Sequence, residues 1–403
     1  MITIPLDIGI IDDDEGIKII RVQENLLGRI RRKMRQTGAN NDEAVIGKPK
    51  AVMGYSVMRR WIRKLITYAY NFILKQFQWP DYAWTWVRNA RKATIAHLDN
   101  NVMTDVVISV SHPFSCHFVG SYAKLKYPNI KWIMDCGDPF CFEEASPCNN
   151  FALYKKLNHH IEMGFFKRSD WISVTTPETK EEYNKLFKLD KKIQVISPML
   201  NMRAQRLIED FKEAITLPNK SSIKLVFAGT LYAKVRNPIE LINLLKKINV
   251  TFKLKIEMHF VGGVIDLDEI KLPDKKLKLI FHGKVSQDTA LRHMLNSDIL
   301  VNIGNTTRYQ LPSKLVEYVS TGKPILNVTC RQDDSSENFL LAYPAAKTVC
   351  LNGNLSKTII KQTSEFIKTT TPINNHLKKY WSTRYATHKI ASQYENLLNV
   401  YCE

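Results

Sequence analysis

The chain has 403 residues, more than one compact core organises and enough for two domains of roughly 150 to 200 residues each. Hydrophobic residues make up 44% and aromatic residues 10%, which excludes a disordered chain; no run of ~18 apolar residues occurs, so no membrane span is expected. The formal net charge of +19 points to an acidic partner such as nucleic acid, an anionic membrane or a phosphorylated ligand.

The acidic start, MITIPLDIGIIDDDEG, is not that of a signal peptide. Together with seven cysteines and no CxxC pair, it predicts a reduced, cytoplasmic protein. Much of the positive charge comes early. Residues 29–35 read RIRRKMR, and residues 53–79 mix Arg59, Arg60, Arg63 and Lys64 with Trp61, Ile62, Leu65, Ile66, Tyr68 and Phe72. A helix of that make-up lies on an anionic lipid surface or packs its apolar side on its own domain.

From there, strand-length apolar runs alternate with helix-length segments. The first series is VVISVS (106–111), KWIMDC (131–136), WISVTT (171–176) and IQVIS (193–197). A second series follows: KLVFAG (224–229), KLKIEMHFVGG (253–263), KLIFHG (278–283), DILVNI (298–303), PILNV (324–328) and KTVCLN (347–352). Strands apolar on both faces belong to parallel sheets covered by helices, so the class is α/β with two doubly wound sheets. The expected organisation is a first domain over 1–200, a connection over 201–222, a second domain over 223–372, and a helical end over 373–403. The whole of 374–399 reads as one helix that crosses back to the first domain.

In such sheets, ligands meet the loops after the strands. The first strand of the second series leads into FAGTLYAKVRNP (227–238). There Gly229 permits close backbone approach, Thr230 adds a hydroxyl, and Lys234 and Arg236 precede a helix start at Pro238. This combination suits a diphosphate, or is a solvated basic loop. It lacks the GxxxxGK[ST] of a P-loop. Further on, QLPSKLVEYVSTGKPIL (310–326) predicts a helix capped by Ser313 and ended by Gly322. Lys314 and Glu317 share a face three residues apart. They form an ion pair worth ~0.3 kcal/mol, or Lys314 meets phosphate while Glu317 accepts from two ribose hydroxyls. In the first series, His112 and His117 follow one strand, and Asp135 and Asp138 flank another. Each is a residue type that serves as a general base, or serves a turn as hydrogen-bonding partner.

The run NIGNTTRYQLPSKLVEYVSTGKPIL (302–326), with FAGTLYAKVRNP upstream, resembles the donor-binding half of GT-B glycosyltransferases. More narrowly it is similar to the GT4-like family that builds bacterial surface polysaccharides. DVVISVSHPFSCHFVGSYAKLKYPNIKWIMDCGDPF (105–140) resembles the same family's S-x-P-x-S-x-H-x-x-G turn and D-x-x-D-P turn. The resemblance implies two Rossmann-like domains facing a central cleft, a nucleotide-sugar donor on the second, a glycan or lipid-linked acceptor on the first, and no cofactor or catalytic metal. It places Glu317 on the donor ribose, Arg236, Lys234 and Lys314 on the diphosphate, and Gly229, Thr230 and Ser313 beside it. The backbone at Gly283, Val285 and Ser286 falls at the base, and His117, with Asp138 second, falls near the reacting sugar.

The leading expectation is a cytoplasmic enzyme held to the inner face of the membrane through 53–79, whose basic and aromatic make-up suits lipid, with no nucleic acid as partner because no motif for one occurs. A GT-B-fold nucleotide-sugar epimerase and a non-catalytic basic protein binding membrane or nucleic acid are the competing readings. Three departures stand out. Tyr309 occupies the earlier position of the family's E-x7-E pair, so the motif assigns no stereochemistry. Thr230 stands where an arginine is frequent. DDDEGIKIIRVQENLLG (12–28) looks like a stretch from further inside such a domain, so the first βαβ unit is expected to be missing.

Overall fold

The computed structural model describes residues 2–3, 19–26, 28–29, 75–101, 103–189, 192–211, 222–233, 235–265, 277–353 and 355–399. The basic, aromatic-rich stretch thus lies largely outside the described residues, as does Lys234. Two compact units emerge, Met1–Val174 with Asn184–Gln194, and Thr175–Tyr183 with Val195–Glu403.

The first unit runs α1 (Val87–Asn100), β1 (Val106–Ser111), α2 (Ser115–Lys126), β2 (Lys131–Cys136), α3 (Phe151–Arg168), β3 (Trp171–Val174), α4 (Pro177–Phe187, shared between the units) and β4 (Ile193–Val195). The four strands form one sheet in the order β1-β2-β3-β4; β1, β2 and β3 run parallel, with Val106 opposite Lys131 and Ile133 opposite Trp171. All four residues of β3 are buried, as a strand covered on both faces must be.

The second unit contains α5 (Met202–Asp210), β5 (Ile223–Ala228), α6 (Ile239–Phe252), β6 (Ile256–Val261), β7 (Lys278–Gly283), α7 (Gln287–Leu295), β8 (Ile299–Ile303), α8 (Lys314–Thr321), β9 (Ile325–Thr329), α9 (Ser335–Leu340), β10 (Ala346–Cys350), α10 (Lys357–Thr369), α11 (Asn375–Arg384) and α12 (Thr387–Asn399). Its strands make a six-stranded sheet in the order β7-β6-β5-β8-β9-β10, and every neighbouring pair is parallel. The direction in which the chain adds successive strands therefore reverses between β5 and β8, the topological switch point of a doubly wound fold. Alternate residues of β5 serve opposite cores. Val226 and Ala228 join Leu291, Met294, Leu315, Val316 and Val319 on one face; Leu225 and Phe227 join Leu241, Leu244, Leu245 and Met258 on the other. The period of two explains why these strands are apolar throughout.

The expected single helix over 374–399 is two. The break falls at Tyr385–Ala386, where Leu200 forms a bridge with Ala386, its amide donates to the Tyr385 carbonyl (2.7 Å), and the Thr387 hydroxyl donates to the Leu200 carbonyl (3.1 Å). These long-range bonds outweigh the helical period. Trp381 and Tyr385 are buried in the core that α8 also lines, within the second unit.

Candidate functional site

In the second unit the site begins as a fork in the sheet. β5 and β8 pair only at Leu225–Ile299 and Val226–Leu300. Beyond that point the buried Tyr318 hydroxyl stands between the strands, accepting from the Ala228 amide (2.8 Å) and donating to the Val301 carbonyl (3.2 Å). Burial pushes this phenol well above its ordinary range. Tyr318 thus fixes α8 to the switch point, where backbone groups would otherwise be left unpaired. Tyr318→Phe is expected to cost ~2 kcal/mol of stability by leaving the Ala228 amide and Val301 carbonyl unmet. Urea unfolding of the variant checks this, and an unchanged midpoint would contradict the bracing role.

Beside the fork, three strand ends carry glycine. The Gly229 amide donates to the Val261 carbonyl and the Gly262 amide to the Gly283 carbonyl, both at 2.9 Å. A Cβ on Gly262 would lie 2.0 Å from the Gly229 oxygen, so no other residue fits the close approach. Next to this edge, the Arg236 Nε donates to Asn305 Oδ1 (2.7 Å), and its guanidinium lies 3.8 Å from where a Gly229 side chain would begin. Asn305 is buried and also donates to the Gln310 carbonyl (3.2 Å). Thr230 is half-buried, its methyl 3.4 Å from a notional Gly263 Cβ, and the stem of Lys284 lies 3.3 Å from that same point. Lys284, an exposed cation over the glycine edge, was not among the residues the sequence singled out; its place directly after Gly283 is the signal that finds it.

On α8, Lys314 Nζ donates to both Glu317 oxygens, at 2.7 and 2.8 Å, with side chains 31% and 13% exposed. The two charges satisfy one another, so a phosphate would have to draw Lys314 away. Gly322 ends the helix with φ of 76°, as expected. Ser313 does not cap it as expected. Its backbone is already helical, no side-chain cap bond forms, and the first turn starts a residue earlier with the Leu315 amide bonding the Pro312 carbonyl (2.9 Å). Val285 packs half-buried against the α8 core, and Ser286 caps α7 by accepting from the Thr289 amide (3.2 Å). Tyr309, at the position of the absent glutamate, contributes its carbonyl, which accepts from the Thr176 (2.8 Å) and Thr179 (3.0 Å) hydroxyls.

In the first unit the turn after β1 is anchored by Asp81, a residue the sequence did not flag. Fully buried, it accepts from the Ala83 amide (2.7 Å), the Ser115 amide (2.8 Å) and the Ser115 hydroxyl (2.7 Å). His117 is buried with no exposed atom to offer a ligand: Nδ1 bonds Ser109 (2.8 Å), and Nε2 has no partner among the described residues. Burial, and secondarily the nearby His112, lowers its pKa to about 3, so the ring is neutral. The position next in reach is His112, whose Nε2 pairs with Asp138 at 3.0 Å, both side chains over a third exposed. That hydrogen bond raises the His112 pKa. Asp135 instead accepts from the Ser173 hydroxyl (2.6 Å). Gly120, in the family-like turn, admits the Trp132 indole, whose Nε1 would sit 2.4 Å from an added Cβ. Among the described residues no group of three or more His, Cys, Asp or Glu side chains is arranged to hold a metal ion, and no helix is long and apolar enough to cross a membrane.

No protein-family model matches the chain, and no curated protein matches it. Solved structures do. HepE from Anabaena, in complex with UDP and glucose, superposes with a TM-score of 0.55 at 12% identity, covering 77% of this chain and 81% of that one. Sucrose-phosphate synthase from Thermosynechococcus elongatus gives 0.57 at 12% identity, over 79% and 78%. The lipopolysaccharide outer core galactosyltransferase WaaB gives 0.50 at 13% identity, over 78% and 80%. These neighbours are GT-B glycosyltransferases.

The chain has the GT-B fold class. At such identities the likeness is one of fold, and it agrees with the two parallel-sheet units read from the sequence.

Proposed function

We propose that the protein is a glycosyltransferase that moves a sugar from a nucleotide-sugar donor to a glycan or lipid-linked acceptor. The observation that carries this reading is the convergence at the β5–β8 switch point of an open glycine edge, the Arg236–Asn305 pair and the Lys314–Glu317 pair. Glycine-edged backbone and cations beside a helix start suit a diphosphate. A carboxylate one turn along suits the vicinal hydroxyls of ribose. The UDP and glucose bound in HepE favour a nucleotide-sugar ligand over other diphosphates.

In the reaction, Arg236 and Lys314 would neutralise charge building on the departing diphosphate, the principal electrostatic task in such a transfer. Glu317 would release Lys314 as it takes the ribose hydroxyls, so donor binding itself would free a cation for the leaving group. Asp138, with His112, is the exposed pair proposed for the acceptor side, and His117 orders the turn from below. We further assign the protein to GT4-like, metal-independent transferases of surface-polysaccharide assembly, working at the cytoplasmic membrane face. The motif resemblance over 302–326 supports that finer reading.

Calorimetric titration with nucleoside diphosphates and nucleotide sugars tests the proposal. Binding of none of them to the intact chain would overturn it. Glu317→Ala is expected to weaken nucleotide-sugar binding by ~1 to 3 kcal/mol, the range for a lost charged hydrogen bond, with little change in melting. Unchanged affinity would remove Glu317 from the site.

A further inference from the structure

The C-terminal helices carry an open groove rimmed by cationic side chains, none of which belongs to the donor site proposed above. On α11, residues 376, 379, 380 and 383 fall on one face by helical spacing. Residues 389 and 393 do so on α12. Between them lies a cavity of about 520 Å³, walled by these side chains and Arg384. His376, Lys379, Tyr380, Arg384 and Lys389 are all exposed. Among the described residues no acidic side chain lines the cavity, and neither Lys379 nor Lys389 has a carboxylate partner.

The arrangement is partly ordered in advance. Arg384 donates to the Tyr380 hydroxyl at 2.9 Å, and its guanidinium lies 5.9 Å from the ring centres of both Trp381 and Tyr385. Trp381 and Tyr385 are themselves buried, so the planar cation is held from beneath. A fixed guanidinium loses less freedom on meeting an oxyanion than a free one does. Two unpaired ammonium groups around the same space repel each other and the guanidinium, a cost that an anion removes. The lysine stems and the Tyr380 ring supply an apolar wall behind the charges.

We infer that this cavity binds a phosphate group, with Lys379, Arg384 and Lys389 as its charged contacts. A soluble phosphate ester and an anionic lipid headgroup present the same chemistry, and the test separates them. The full chain is titrated with inorganic phosphate and pyrophosphate at constant ionic strength, following the His376 ring signals by NMR. Pyrophosphate taken up elsewhere, at the glycine edge for instance, leaves that local probe unmoved. In parallel, flotation compares phosphatidylcholine vesicles with vesicles that also contain phosphatidylglycerol.

Saturable shifts of His376 with the phosphates identify a soluble ligand. A response confined to the anionic vesicles identifies a headgroup. In either case the K379Q/K389Q double variant should weaken the response ~tenfold or more, since two of three charges are gone. If that variant melts early, K389E alone, on an exposed face of α12, should weaken it in the same direction. No saturable shift with either phosphate, together with equal vesicle binding by wild type and variant, overturns the inference.

Discussion

Acidification from about pH 7 to about pH 5 is expected to weaken the first unit by ~2 kcal/mol through His117 alone. In the native protein the ring titrates at about 3, chiefly because burial disfavours the cation, with His112 adding repulsion. In the unfolded chain it titrates near ~6.5. Above that value both states hold a neutral ring and the contribution is complete. Below it, only the unfolded chain takes up the proton, so stability falls by ~1.4 kcal/mol per pH unit until the native ring titrates.

The second unit contains a group of the opposite sign. Asp334 is buried, its Oδ1 accepts from the Ser336 amide (2.8 Å), and its Oδ2 has no partner among the described residues. Burial raises its pKa to about 6. The native carboxyl therefore binds a proton before the unfolded one, and stability from this group rises as pH falls from about 6 toward the ordinary carboxylate range. Hydrogen exchange resolves the two. Protection in β2, corrected for intrinsic rates, should drop over this interval, while protection in β9 should hold or rise. His117→Asn should flatten the β2 response; parallel losses in both strands, unaltered by the substitution, would refute the assignment.

Gly262→Ala is the substitution with the largest expected cost, ~3 kcal/mol and ~tenfold or more in nucleotide affinity. The added methyl would meet backbone on the next strand, 2.0 Å from the Gly229 oxygen and 2.7 Å from its carbonyl carbon, at a residue whose φ is 140°. Neither strand can retreat freely, because the amides of both glycines are bonded to their neighbours. Gly263→Ala one residue on is the control. Its Cβ would meet only the ends of Lys284 and Thr230, at 3.3 and 3.4 Å, and should cost under ~1 kcal/mol. Chemical unfolding and calorimetric titration of the pair check both statements; equal losses would show that the glycine edge is not the close approach described.

The sheet was legible because its strands are apolar on both faces. VVISVS, KWIMDC and KLIFHG coincide with β1, β2 and β7 residue for residue. So was the end of α8, since a glycine with positive φ is a local requirement. What escaped the sequence depends on partners far along the chain. Asp81 meets Ser115 34 residues away, Arg236 meets Asn305 across 69, and Leu200 breaks the last helix from a distance of 187 at Thr387. No spacing rule carries such information. His117 shows the reverse: a histidine after a strand reads as surface chemistry, and only the fold reveals that Phe114 packs edge-on against it and that Ser109, itself bonded by Trp132, holds its Nδ1.

The tyrosine at the fork has a consequence for anyone mapping this site by activity. Tyr318 lies next to Glu317 in sequence but points the other way, into the sheet. Substitutions at the two positions would therefore look alike in a screen that scores only product. On the proposed function, one removes a contact with the ligand, the other a strut beneath it. Heating separates them: the strut variant fails earlier as temperature rises, whereas the ligand variant recovers with excess donor. Changes of donor preference would accordingly be sought at Thr230 and Lys284, in the loops after β5 and β7, which are half-buried and exposed.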